Sequence, residues 1–277
     1  MINDIPVNIS TGASRDKVVS FAVSVAAELK AHLTGIIFQY EPIVPVMVDM
    51  YGVPPEIIES QRAENDKIVK ASLARFSEAI RGTAVSGEAQ VVEASADGAP
   101  GMLASAARRF DLSVIAQPQP DESALGRLFV EAALFESGRP LLIVPYIQTA
   151  GLKLDRVMVC WDGSRSAARA VGDAMPFLLR AKVTEITIVS VERAKSDEMP
   201  GADIAHHLAR HGAKVEVNRI ASGDIDIANR ILSRAADASA DLLVMGGYGH
   251  SRMREFILGG VTRGILASMT VPTLMSH

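Results

Sequence analysis

Hydrophobic side chains follow two alternating rhythms along the chain. Short runs of Val, Ile and Leu are separated by longer stretches in which apolar residues recur every three or four positions. The short runs lie near residues 5–10, 33–39, 88–93, 111–116 and 140–145, and again near 155–161, 184–191, 213–219, 241–246 and 271–275. Continuous apolar runs of this kind suit strands covered on both faces. Between them, Val18, Val19, Ala22, Val25, Ala26 and Leu29 share one face of a helix predicted from Ser14 to Leu33. A similar helix runs from Ser164 to Leu179, with Ser164 placed to cap it, and a long one runs through about Ile80. Strands alternating with helices imply parallel sheets joined by right-handed crossovers.

The pattern occurs twice. Val92-Glu-Ala-Ser-Ala-Asp-Gly-Ala-Pro, a helical stretch and Asp111-Leu-Ser-Val-Ile-Ala116 match Arg219-Ile-Ala-Ser-Gly-Asp, a helical stretch and Asp241-Leu-Leu-Val-Met-Gly246. A final strand after a proline follows in each, at Pro140 and at Pro272, and Val7-Asn-Ile-Ser-Thr-Gly at the start corresponds to Val157-Met-Val-Cys-Trp-Asp-Gly. A chain of 277 residues fits two such units. The expected division is residues 1–149 and 150–277, with Ile147 to Leu152 as linker. Each unit is expected to be a doubly wound, Rossmann-like α/β domain with a five-stranded parallel sheet in the order 3-2-1-4-5. The halves differ by an insertion, a Pro- and Met-rich stretch from Glu41 to Pro55.

Composition narrows the function. The net charge of -4 gives no basic field for nucleic acid, and no apolar stretch approaches the ~20 residues of a membrane span. The single cysteine, Cys160, excludes a disulfide within the chain, and no signal peptide is evident, so a cytoplasmic location is expected.

Candidate chemistry sits after the strands of the second half, because ligands of open parallel sheets bind at the carboxyl ends of the strands, at the topological switch point. There Gly246 and Gly249 precede Gly259, Gly260, Val261 and Thr262, which open the last helix. Glycines let backbone N–H groups approach anionic oxygens, and a helix N-terminus favours phosphate. Glycines after a strand also serve as turn residues, and Asp162, at the end of the first strand of this half, also serves to cap a helix. The residues alone leave both readings open.

The spacing Gly246-x2-Gly249-x9-Gly259-Gly260 resembles the phosphate loop of the nucleotide-binding branch of the universal stress protein family. The resemblance covers both halves in architecture and the second alone in motif. It implies a stress-response regulatory protein rather than an enzyme. The implied ligand is ATP or AMP, with Mg or Mn held through the phosphates and any hydrolysis slow and incidental. It assigns the nucleoside to Asp162 and an adenine contact to the backbone of Val191. Cys160 and Met245 border the pocket, and Gly246, Gly249, Gly259, Gly260 and Val261 surround the phosphates. Gly260 departs from the family, which usually has Ser or Thr there, and this removes one side-chain hydrogen bond.

The first half has Thr11 near the Asp162 position and Ala116-Gln-Pro-Gln-Pro120-Asp-Glu in place of the glycine loop. Prolines lack N–H donors, and Asp121 and Glu122 repel phosphate. This half is expected to bind no nucleotide and to pair with the second through the last strands, as family members do when they dimerise; further homodimerisation stays open. A second reading is a universal stress protein that binds no nucleotide and acts on a protein partner, using Met47, Met50 and Tyr51 of the insertion. Other α/β enzymes, such as nucleotidyl transferases, would need segments not found here. His207 and His211 share a helix face but lack a recognised third metal ligand, and His250, Arg252 and Arg254 follow the loop as candidate phosphate-screening charges.

Overall fold

A computed structural model describes residues 1–9, 16–41, 55–119, 124–189, 201–220, 226–247 and 260–277. The first half runs β1 (Asp4–Ile9), α1 (Asp16–Leu29), β2 (His32–Tyr40), α2 (Pro55–Ile80), β3 (Gly87–Ala94), α3 (Ala99–Ala107), β4 (Ser113–Ala116), α4 (Leu125–Glu136) and β5 (Leu141–Val144). The second repeats it with β6 (Arg156–Trp161), α5 (Arg165–Leu178), β7 (Val183–Val189), α6 (Ala202–Arg210), β8 (Val215–Ile220), α7 (Ile227–Asp237), β9 (Leu242–Gly246), α8 (Gly260–Ser268) and β10 (Thr273–Ser276).

The strands form one ten-stranded sheet in the order β3-β2-β1-β4-β5-β10-β9-β6-β7-β8. Each half therefore has the expected 3-2-1-4-5 order. All pairs within a half are parallel, and the seam is antiparallel, with Thr273 opposite Ile143, Leu274 opposite Leu142 and Met275 opposite Leu141. Leu141, Leu142, Ile143, Thr273, Leu274 and Met275 are all fully buried, so the last strands of the two halves weld two sheets into one. One core lies between the sheet and α1, α2, α5 and α6, and a second lies between the other face and α3, α4, α7 and α8.

The repeated aspartate has a structural role in both halves. Asp111 Oδ2 accepts the N–H groups of Asn3 and Asp4 at 2.8 and 3.2 Å, and Asp241 Oδ2 accepts that of Arg156 at 2.9 Å. Each ties the strand it precedes to the opening strand of its half. The N-terminal helix ends earlier than its periodicity predicts. Lys30 takes φ 57°, and the Ala31 N–H donates to Ala26 at 2.9 Å. The chain then enters β2 at His32, because pairing Leu33 with Ile5 against the sheet outweighs another helical turn.

The second half carries a polar cluster on the sheet. Glu185 on β7, with a side chain only 1% exposed, accepts a two-pronged ion pair from Arg234 of α7 at 2.7 and 2.8 Å. Arg156 bridges it to Glu216 of β8 at 3.2 and 2.8 Å, so the two carboxylates paired side by side in register share a cation. Burial is the strongest single influence on Glu185 and opposes its ionisation. The hydrogen bonds from Arg234 and Asn218, the Arg234 charge and the Thr187 hydroxyl together outweigh it, and hold the carboxyl below its ordinary value of 4.5. A depressed native pKa stabilises the fold fully above the unfolded value and loses that contribution as pH falls through the native one. We expect Glu185→Gln to lose about 3 kcal/mol at neutral pH. The difference between the variant and the wild type should shrink on acidification below pH 4.5. Urea unfolding at pH 7 and pH 3.5 checks both parts.

Candidate functional site

In the second half the chain winds outward from β6 through β7 to β8, then returns to the other side of β6 for β9 and β10. The direction of winding reverses between β6 and β9. Their pairing runs from Val157–Leu242 to Val159–Val244. Beyond it, Trp161 stays paired with Ile188 of β7 and Gly246 with Ser276 of β10. The carboxyl ends of β6 and β9 thus part from each other while held from outside, at the place where ligands enter doubly wound sheets.

Asp162 stands on one lip, directly after β6, and is exposed. Its Oδ1 accepts the Ser164 N–H at 2.9 Å. Ser164 then caps α5 as the sequence predicts, its Oγ accepting the Ala167 N–H at 3.1 Å. The capping role and an outward-facing carboxylate therefore coexist, because one carboxylate accepts several hydrogen bonds.

Gly246 ends β9 on the other lip. A Cβ built there would stand 2.5 Å from the Ala167 nitrogen and 2.6 Å from the Ser166 carbonyl carbon, so the first turn of α5 packs directly on this glycine. Gly246 therefore has a packing role that spacing alone did not reveal. The next residue, Gly247, donates its N–H to the Ser276 carbonyl at 2.8 Å and accepts Leu134 of α4 against its α-carbon. Gly260 opens α8, exposed and with open space around it, and Val261 packs on the second core.

Cys160 and Met245 are buried, 6% and 5% exposed, with side chains in the second core. Burial, reinforced by the charges of Asp162 and Glu185, pushes the Cys160 thiol far above its ordinary range. Thiolate is the reactive form. Native protein should therefore leave a disulfide-exchange reagent unconsumed at pH 8, and urea-unfolded protein should consume one equivalent. Rapid reaction of the native thiol would contradict its placement.

Thr11, Met47, Met50, Tyr51, Asp121, Glu122, Val191, Gly249, His250, Arg252, Arg254 and Gly259 lie outside the described residues. His207 and His211 stack edge-on with ring centres 4.8 Å apart, and no group of three metal-ligating side chains occurs among the described residues. Among the same residues no helix is long and apolar enough to cross a membrane.

Gln117 was missed by sequence reasoning. It follows β4 as Gly247 follows β9, and each donates its N–H across to the last strand of its half, to Val144 at 2.7 Å and to Ser276 at 2.8 Å. Read with the prolines beside it, Gln117 passed for a loop residue. Superposing the two repeats at Ala116 and Gly246 would have marked it as the counterpart of a loop glycine.

An open sheet whose winding reverses between β6 and β9 defines a doubly wound, Rossmann-like fold. The sequence profile of the Universal stress protein family matches residues 153–277, the second of the two repeats. It is similar to the universal stress protein Slr1230 of Synechocystis sp. (strain ATCC 27184 / PCC 6803 / Kazusa), 29% identical over 140 residues. That alignment spans 49% of this chain and 46% of the relative, so the chain matches about half of that protein's length. The fold is similar to that of a universal stress protein from Archaeoglobus fulgidus DSM 4304, with a TM-score of 0.72 at 16% identity over 100% of this chain and 98% of that one. A putative universal stress protein from Pseudomonas aeruginosa UCBPP-PA14 gives 0.62 at 12% identity, over 99% and 93%.

Proposed function

We propose that the second half, residues 150–277, binds an adenine nucleotide, ATP or AMP, in the crevice between β6 and β9, and that the protein acts in a stress response by binding rather than turnover. The observation that carries this reading is the splaying of β6 from β9 with Asp162 on one lip and Gly246 on the other. A carboxylate accepts hydrogen bonds from ribose hydroxyls or the adenine amino group. The N–H groups at the start of α8 supply the partial positive charge that phosphate requires. Gly249, Gly259 and Val191 complete the set in the sequence pattern, and Mg or Mn would be held through the phosphates. The first half, residues 1–149, has Gln117 where the second has a glycine and takes no nucleotide in this reading. The cytoplasm is the compartment that the single cysteine suits.

Trp161, the only tryptophan, is half-buried at the end of β6 and so borders the crevice. Titration with ATP and Mg should change its emission with saturation in the micromolar range. Emission unchanged up to millimolar ATP would favour the second reading, a family member that works through a protein partner.

A further inference from the structure

The two halves touch beyond their paired strands, at positions that bear on the crevice. Gln117 is 1% exposed and spans the seam. Its Nε2 donates to the Leu266 carbonyl of α8 at 2.9 Å, and its Oε1 accepts the Tyr146 N–H at 3.2 Å. Both ends of the amide are satisfied, and in one orientation only, since one partner is an acceptor and the other a donor. Leu266 lies in the last turn of α8, where the final carbonyls have no partner within the helix. The first half thus supplies a side-chain cap to the C-terminal end of a second-half helix.

Leu134 of α4 makes the reciprocal contact. It packs against Gly247, where an added Cβ would stand 2.9 Å from its Cδ2. Phe135 beside it meets the His277 ring edge-on at 5.0 Å, and His277 Nδ1 lies 3.1 Å from the Gly247 oxygen. The peptide at the root of the glycine loop and the far end of α8 are therefore both held by the first half.

We propose that the first half is a built-in positioning unit for the crevice of the second, with Gln117 as the residue that fixes the axis of α8. The consequence for ligand binding rests on the nucleotide reading above; the fixing of α8 does not. Gly260 is about 9 Å along the helix axis from Leu266 at ~1.5 Å per residue. A rigid helix released at one end swings at the other, and the N–H groups offered to phosphate move with it. Gln117 therefore exchanges a nucleotide-binding role for control of the site that remains. Its neighbouring prolines, which remove N–H donors from the first-half loop, leave this function intact.

The test compares full-length wild type with Gln117→Met, which keeps the volume without the hydrogen bonds, and Gln117→Glu, which keeps the shape but cannot donate to Leu266 when ionised. Amide hydrogen exchange in ligand-free protein reads the clamp directly. Both variants should exchange at least tenfold faster in α8, with β6 and β9 unchanged. Unchanged exchange in α8, or equal acceleration throughout both halves, overturns the positioning role, the latter because it marks general loss of stability. Calorimetry with ATP reads the consequence, and affinity should fall about tenfold in both variants. Wild-type affinity in variants whose α8 exchanges faster overturns the link to the site. Absence of ATP binding by the wild type itself sinks the nucleotide reading instead, and the exchange data still decide whether Gln117 holds α8.

Discussion

Replacing Gly246 with alanine is expected to lower the unfolding free energy by about 3 kcal/mol, near the upper end for overpacking a well-filled interior. The cost comes from what the new methyl meets. Its nearest neighbours are the Ala167 nitrogen and the Ser166 carbonyl carbon in the first turn of α5, at 2.5 and 2.6 Å. A flexible side chain could rotate away, but a helix start cannot. Separating α5 from β9 would break this packing and disturb the cap that Ser164 makes with Ala167. Gly260→Ala is the control. That glycine is exposed and has open space around it, so the substitution should change stability by no more than about 0.5 kcal/mol. Urea unfolding of both variants separates a glycine required by packing from one that is not. Equal stability of the two would contradict the close approach at Gly246.

Removing the carboxylate of Asp162 is expected to weaken ATP binding ten- to a hundredfold. A hydrogen bond involving a charged group contributes roughly 1.5–3 kcal/mol, and loss of one such bond accounts for that range. The fold should survive. Asp162 is exposed, and loss of the hydrogen bond it accepts from the Ser164 N–H costs about 1 kcal/mol. Asp162→Asn retains an acceptor for Ser164 while removing the charge. Its stability should stay near wild type while its ATP affinity falls. Displacement titrations with ATP across wild type, Asp162→Asn and Asp162→Ala, beside their unfolding midpoints, tell a ligand contact from a helix cap. Parallel loss of stability and affinity would assign Asp162 to capping alone.

Much of this architecture is legible in the sequence because it depends on local rules. Strand-length apolar runs alternating with helical periodicity required parallel units, and the recurrence of Asp111 at Asp241 revealed the repeat. Ser164 was identifiable as a cap from its residue type and position. Lys30 was not identifiable as a stop, because the apolar spacing continues through the turn and the helix ends on a sheet-pairing preference set far away in the chain. Glu185 sits in an apolar run, and its partners Arg156, Arg234 and Glu216 come from three other elements, so no window contains the cluster. For the site, the switch-point rule pointed to the ends of β6 and β9, whose mutual pairing stops at Val159 and Val244. The contacts that support it, α5 against Gly246, Leu134 against Gly247 and Gln117 under Leu266, join residues far apart in the chain and are visible only once the halves are docked.

Calorimetric titration of the full chain with ATP and Mg tests the division of labour between the halves most directly, because it reports stoichiometry along with affinity. One ATP per chain, bound in the micromolar range and weakened by Asp162→Ala, is the predicted result. Two ATP per chain would contradict the assignment of the first half as a unit without nucleotide, and no binding at millimolar ATP would contradict the nucleotide site itself.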